Sequence, residues 1–132
     1  MTDLLWLTAS GGVYYLQRFV HCAGLGFSDK RVFVINGQAV AAMRRRGKSW
    51  LNNVAQGASC ERIELNAEVA ELAIKATAAL SMDYAGVDII QDQNGQYSII
   101  EVNSIPAWKG LESACDVNIA QLLVDDLIRR YL

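Results

Sequence analysis

The stretch Ala85–Trp108, AGVDIIQDQNGQYSIIEVNSIPAW, decides the fold of this chain. Two apolar runs rich in β-branched residues, 87–90 and 97–102, flank the dipeptide Asn94-Gly95. Asn-Gly is the strongest short-range signal for a two-residue type I′ turn between antiparallel strands. The stretch therefore predicts a β-hairpin, and the rest of the chain can be placed around it.

A two-residue turn at this dipeptide sets the register of the hairpin, because Gln93 must then face Gln96. Counting back along one strand and forward along the other places Asp88 directly opposite Glu101. Asn103 shares their face of the sheet, since residues two apart on a strand point the same way. The predicted hairpin thus brings two carboxylates and an amide together.

Opposed carboxylates in an apolar surrounding need compensation, because two such charges about 5 Å apart repel by roughly 3 kcal/mol at an effective dielectric constant of about 20. Three interpretations stay open on the residues alone. Carboxylate and amide oxygens suit a hard cation, Mg²⁺ or Mn²⁺. A shared proton or salt bridges to nearby arginines would serve equally well. Acid–base catalysis, as in a retaining glycoside hydrolase, is the third, with Tyr97 and Trp108 as the available sugar platforms.

The composition bounds the class of protein. With 132 residues, 52% of them hydrophobic and 20% charged, the chain suits one compact domain with a sizeable core. The formal net charge of −2 predicts neither a nucleic-acid partner nor a membrane partner. Three cysteines without metal-ligand or redox spacing indicate a reducing compartment, and the N-terminal residues lack the features of a signal peptide. The sequence predicts a cytoplasmic protein and leaves a homo-oligomer open.

A second Asn-Gly dipeptide, Asn36-Gly37, predicts another hairpin between residues 29–35 and 38–46. The same counting places Asp29 opposite Arg44. One face of this hairpin would then carry four charged side chains: Asp29, Arg31, Arg44 and Arg46. Cross-strand ion pairs are one explanation. A nucleotide is the other, with hydroxyl groups on the carboxylate and phosphate oxygens on the guanidinium groups.

The remaining segments complete an α+β prediction. We expect residues 1–12 to be a lead segment or a cut end, 13–20 to form a strand and 47–59 to form a loop. Asn66 can cap a helix that runs to about Met82, and a final helix is expected from about Asp116 to Tyr131. The expected buried stripe of the final helix is Ala120, Leu123, Val124, Leu127, Ile128 and Tyr131. The predicted architecture is an antiparallel sheet built from hairpins, with the two helices packed on one face.

Several motifs in order resemble the C-terminal half of an ATP-grasp ligase of the family of ribosomal-protein glutamate ligases. They are YLQRF, DKRVFV, VAAMRR, NNVAQGA, GVDI and EVNSIPAWKG, which together extend over residues 13–132. The segments WLNNVAQGA and PAWKGL are most similar to those of the branch that adds glutamate to a pterin or another small cofactor. Arg18 stands where members typically carry an acidic residue, and Leu51 where they often carry an arginine.

The resemblance implies a role for each matching residue. Asp88, Glu101 and Asn103 match the ligands of the Mg²⁺ ions that hold the phosphates of ATP. Gln17, Arg18 and Phe19 match the segment that contacts adenine, and Asp29 matches the acidic residue near the ribose. Arg31 is a less close match to a nucleotide-binding position. Arg44 and Asn53 match positions near the phosphates and the acyl intermediate. His21, the only histidine, matches none of these and is expected to be a loop residue.

The implied activity is formation of an amide from a carboxylate substrate and an amine, such as an amino acid, through an acyl phosphate made with ATP. In such enzymes a preceding subdomain supplies a glycine-rich loop and phosphate-binding lysines. The sequence is therefore expected to be a C-terminal fragment, residues 13–132 being one subdomain, that would not catalyse ligation alone. The alternative is a non-catalytic nucleotide-binding or assembly module derived from such a ligase.

Overall fold

The structure, a computed structural model, describes residues 18–24, 27–47 and 59–132. In these ranges the elements are β1 (Phe27–Ile35), β2 (Gln38–Gly47), β3 (Ser59–Arg62), α1 (Ala67–Ala79), β4 (Tyr84–Gln91), β5 (Tyr97–Asn103), α2 (Lys109–Cys115) and α3 (Ile119–Tyr131). The strands form one antiparallel sheet in the order β3-β2-β1-β4-β5. The predicted α+β class is confirmed.

No helix of the described ranges is long and apolar enough to cross a bilayer.

The helices cover both faces of the sheet, which differs from the expected packing on one face. Val32 and Val34 of β1 lie in a core with α1, whereas Phe33 and Ile35 lie in a second core with Leu111 of α2 and the start of α3. Because β1 is the central strand, its apolar residues alternate between two buried faces. Each face therefore needs its own helical cover.

Helix α1 follows its prediction closely. The side-chain oxygen of Asn66 accepts a hydrogen bond from the backbone N–H of Val69 at 2.8 Å, which caps the first turn. Val69, Ala73 and Ala76 are buried against the sheet. Leu72 of the expected stripe is half-buried, but Leu80, also expected in it, follows the end of the helix at Ala79 and is 53% exposed; the spacing thus identified the buried side of the helix but not its end.

Helix α3 differs from its prediction in both extent and orientation. Asp116 adopts a left-handed conformation with φ of 52° and ends α2, so the final helix begins only at Ile119. Ile119 is buried, and so is Asp126, whose carboxylate accepts a hydrogen bond from the side-chain amide of Asn36 at 3.0 Å. Most of the predicted stripe is exposed: Ala120, Val124, Leu127, Ile128 and Tyr131.

The first hairpin has the predicted turn but not the predicted register. Both turn residues have positive φ, 46° for Asn36 and 71° for Gly37, as a type I′ turn requires. Val34 faces Ala39, but Phe33 then faces Ala41, so that Val40 is an extra, bulged residue. Beyond the bulge every pair is shifted by one residue, and a shift of one exchanges the two faces of a strand.

The second hairpin has the predicted pairing only from Asp88 and Glu101 onwards; next to the turn each pair is shifted by one residue, and the turn itself differs from the prediction. Gly95 has φ of +84° while Asn94 does not have a positive φ, and Asp92 pairs with Gln96 around a three-residue loop. A bulge at Ile100 then compensates for the extra loop residue. Asp88 consequently faces Glu101, as predicted.

Candidate functional site

A row of charged side chains crosses one face of the sheet from β2 to β5. It consists of Arg45, Asp29, Arg31, Asp88 and Glu101. Register explains the row: β1 residues 29 and 31 share a face, Asp29 faces Arg45 on β2, and Arg31 faces Asp88 on β4. Sequence reasoning identified all of these residues except Arg45.

Asp88 is held by two arginines. The Nε of Arg31 donates to its Oδ1 at 2.7 Å and the Nη2 of Arg31 to its Oδ2 at 2.8 Å. The Nη2 of Arg45 donates to the same Oδ2 at 2.7 Å. Arg45 also forms a bidentate pair with Asp29, at 2.7 and 2.6 Å. All four side chains are less than 10% exposed, so these are buried, charge-assisted bonds.

The pKa values of the carboxylates in the row shift in different directions. Burial would raise the pKa of Asp88, but the hydrogen bonds and charges of Arg31 and Arg45 outweigh burial and lower it. Burial raises the pKa of Asp29 despite its bond to Arg45. Burial also raises the pKa of Glu101, and the neighbouring negative charge of Asp88 adds to that rise. The negative charge of Asp88 thus disfavours a second anion at Glu101, which a cation bound between them would relieve.

The Glu101 end keeps oxygen atoms available for a ligand. The side chain of Glu101 is 55% exposed, and its Oε1 lies 3.8 Å from the Nη2 of Arg31, too far for a hydrogen bond. Asn103 faces Gly86 across the strands, and its Oδ1 accepts one hydrogen bond, from the backbone N–H of Ile105 at 3.1 Å. This predicted trio is thus brought to one edge of one face.

These donors fit a divalent cation. A carboxylate offers about four acceptor sites, and the hydrogen bonds described occupy three of those of Asp88, leaving one on Oδ1. Glu101 and one lone pair of the Asn103 amide supply the remaining hard oxygen ligands. In the described part of the chain no three His, Cys, Asp or Glu side chains form a metal cluster, and the third oxygen donor of this trio belongs to an amide.

Gly86 and Pro106 keep the neighbourhood of this trio close-packed. A Cβ atom at Gly86 would lie 2.6 Å from the Cβ of Pro106 and 3.9 Å from the Nε of Arg31. The Nη1 of Arg31 also donates to the backbone oxygen of Ala107 at 3.4 Å. The loop after β5 therefore packs directly over the glycine and fixes the arginine that holds Asp88.

An apolar cavity of about 70 Å³ borders Asp29, which lies between Arg45 and Arg31 in the row. Phe19, Ile90 and the bulged Ile100 line it, together with Asp29 itself. Phe19 is 52% exposed. Two expected nucleotide-contacting residues, Phe19 and Asp29, therefore border one cavity. Arg18 is exposed beside it, whereas Gln17 lies outside the described residues.

Arg44, expected near the phosphates, lies on the opposite face of the sheet from Asp88. Because of the bulge at Val40, Arg44 and Arg46 lie on the face of β2 opposite to the predicted one. There the Nη1 of Arg44 and the Nη2 of Arg46 donate to the Oε1 of Glu61 on β3, at 3.0 and 3.2 Å. Arg45 takes the place that the sequence assigned to Arg44. The other residue expected at that position, Asn53, lies outside the described ranges.

The sequence carried little signal for Arg45. The run AVAAM before the three arginines consists mostly of small apolar residues that fit either face of a strand, so its alternation does not fix the phase. Arg45 and Asp88 are also 43 positions apart in the chain, so no local sequence pattern indicates their contact.

Comparison with solved structures identifies the class of this fold. The ATP-grasp ligase PsnB, solved in complex with a phosphomimetic variant of its minimal precursor, Mg and ADP, is 30% identical with a TM-score of 0.66; the match covers 83% of this chain and 34% of that one. The fold is therefore that of part of an ATP-grasp protein. A model of the RimK-like ATP-grasp domain matches residues 8–127, and this chain belongs to that family.

Curated relatives are glutamate ligases. The chain is 42% identical over 117 residues to the tetrahydromethanopterin:alpha-L-glutamate ligase of Methanocaldococcus jannaschii, a match that covers 88% of this chain and 40% of the relative. It is 37% identical over 117 residues to a probable alpha-L-glutamate ligase of Parasynechococcus marenigrum, covering 87% of this chain and 24% of the relative. The chain thus spans two fifths or less of the length of these relatives.

Proposed function

We propose that this chain is the ATP- and metal-binding part of an ATP-dependent carboxylate–amine ligase. One observation carries the proposal: Asp88, Glu101 and Asn103 converge at the β5 end of a charged row in which Asp29 borders an apolar cavity at Phe19. A nucleotide has the same sequence of chemistries, from an apolar base through a sugar to a metal-bound phosphate tail.

In this proposal the apolar cavity takes the nucleobase and Asp29 lies on the ribose side. The free acceptor sites of Asp88, Glu101 and Asn103 hold Mg²⁺ or Mn²⁺. A bound divalent cation would neutralise the phosphate oxygens during transfer. Arg31 and Arg45 keep Asp88 ionised and fix its orientation, which leaves a defined oxygen for the cation.

The proposed reaction forms an amide in two steps. A substrate carboxylate attacks the γ-phosphorus of ATP and releases ADP, which gives an acyl phosphate. An amine then attacks the acyl carbon and inorganic phosphate leaves. The names of the relatives favour glutamate as the amine and a pterin-type cofactor as the carboxylate substrate. We place this activity in the cytoplasm, where ATP is available.

The metal site can be tested without any turnover. Mn²⁺ titrated into the chain should selectively broaden the amide NMR signals of residues 86–88 and 101–103, because a bound paramagnetic ion relaxes nearby nuclei. Glu101→Gln should weaken Mn²⁺ binding at least tenfold, since it removes the exposed carboxylate of the trio. Mg²⁺ added to the wild-type chain should reverse the broadening by competition.

Glu64→Gln is the matched control, because Glu64 is an exposed residue between β3 and α1, outside the charged row. It should leave Mn²⁺ binding unchanged. Equal broadening in wild type and Glu101→Gln would refute the metal site. If Mn²⁺ binds but Mg²⁺-ATP does not bind to a longer protein that contains this domain, the nucleotide assignment fails while the metal site stands.

A further inference from the structure

A second cavity, of about 250 Å³, lies on the opposite face of the sheet from Asp88. It opens where the segment 22–24 passes the ends of β1, β2 and β4. The basic side chains in its lining are Lys30, Arg44 and Arg46, and the neutral polar ones include Ser28 and Gln91. Ser28 also lines the apolar cavity at Phe19, whereas Lys30, Arg44, Arg46 and Gln91 have no part in the nucleotide site proposed above.

The cations in this cavity lack enough negative partners. Glu61 is shared by Arg44 and Arg46 and compensates one charge of the two. The Nζ of Lys30 lies 3.5 Å from the side-chain oxygen of Gln91 and 4.4 Å from the centre of the Tyr97 ring, and no carboxylate of the described residues forms an ion pair with it.

The pairing of β1 with β2 adds to this shortage of negative charge. Lys30 directly faces Arg44 across the β1–β2 ladder. Like charges in that arrangement destabilise a strand pair. The carboxylate of Asp29, which also borders the cavity, is already held by both Nε and Nη2 of Arg45. Three cations around one concave, polar space therefore face only the one shared carboxylate of Glu61.

We propose that this cavity binds a small multivalent oxyanion, either a phosphate ester or a polycarboxylate. Guanidinium groups provide paired donors for phosphate and carboxylate oxygens, and Lys30 adds a point charge at the same wall. The cavity volume suits a ligand of a few heavy atoms beyond a single phosphate group. The basic side chains Lys30, Arg44 and Arg46 lie on the opposite face of the sheet from Asp88, so the proposal does not depend on the metal site.

The test uses pyrophosphate and tricarballylate as separate probes, titrated by calorimetry in metal-free buffer at low ionic strength. At least one probe should bind with a dissociation constant below about 1 mM, and 0.3 M NaCl should weaken binding strongly because of screening. Amide NMR shifts should map to residues 28–30 and 44–46. The tighter probe identifies the ligand as a phosphate or a carboxylate compound.

Lys30→Gln and Arg46→Gln should each reduce the affinity about five- to tenfold. Lys75→Gln is the matched control, because Lys75 is exposed on α1 and pairs with Glu71. It should leave the affinity unchanged, as should Glu101→Gln. Failure of both probes to bind, an equal loss in Lys75→Gln, or shifts that map to residues 86–88 and 101–103 would overturn the proposal.

Discussion

At the scale of single residues, Asp88 and Arg45 determine the character of the site. Asp88 was expected from the sequence because a tight hairpin must place it near Glu101. Arg45 was not, because its contact depends on the bulge at Val40, which no local motif signals. The arginine pairing that the sequence left open is thus realised at Asp88, and it coexists with free acceptor sites for a cation.

We predict that Arg45→Met destabilises the fold far more than Arg44→Met. Arg45 is buried, and its removal leaves Asp29 without its partner and Asp88 with one arginine fewer. Breaking a buried pair in this way costs about 3–5 kcal/mol. Arg44 is partly exposed and pairs with the exposed Glu61, so its loss should cost about 1 kcal/mol or less. Urea denaturation of the two variants measures the difference, and equal losses would contradict the register.

At the scale of elements, two identical dipeptides form different turns. Asn36-Gly37 makes a two-residue type I′ turn, whereas Asn94-Gly95 lies in a three-residue loop with only the glycine at positive φ. The hairpins were predictable because Asn-Gly between apolar runs is a local signal. The loop type and the bulges at Val40 and Ile100 were not, because they depend on how each strand meets its other neighbours in the sheet.

We predict that Asn36→Ala is more destabilising than Asn94→Ala, although the two sequence contexts look alike. Alanine at position 36 would have to adopt a left-handed conformation, which costs about 1–2 kcal/mol. It would also lose the hydrogen bond to Asp126. Position 94 requires no positive φ, so Asn94→Ala should cost about 0.5 kcal/mol or less. Thermal unfolding measured by circular dichroism would show this order, and a reversed order would contradict the assigned turns.

At the scale of the whole molecule, the helices are distributed over two faces. The spacing of Val69, Leu72, Ala73 and Ala76 predicted the buried side of α1, since the charged residues Glu68, Glu71 and Lys75 all lie on its exposed side. Helix α3 has apolar residues over most of its circumference, and contact with Phe33, Ile35 and their neighbours decides which side is buried. Leu111 of α2 belongs to the same core and is completely buried, whereas Leu127 of α3 is 55% exposed.

We predict that Leu111→Ala costs about 2–5 kcal/mol of unfolding free energy, as expected for a buried leucine that leaves a cavity. The same change at Leu127 should alter stability by no more than about 1 kcal/mol, because its side chain is already half in solvent. Guanidinium chloride denaturation of both variants is the measurement. A large loss at Leu127 would mean that another surface covers α3.

The sequence by itself determined the antiparallel hairpins, the cap and buried side of α1, the opposition of Asp88 and Glu101, and the resemblance to ATP-grasp ligases. These depend on dipeptides, periodicity and motifs that act over a few residues. Only the tertiary structure decided that Arg45 rather than Arg44 reaches Asp88, that the helices cover both faces, and that α3 exposes its expected stripe. Bulges and packing contacts join residues far apart in the chain, and small or uniformly apolar segments satisfy more than one such arrangement until the whole fold selects one.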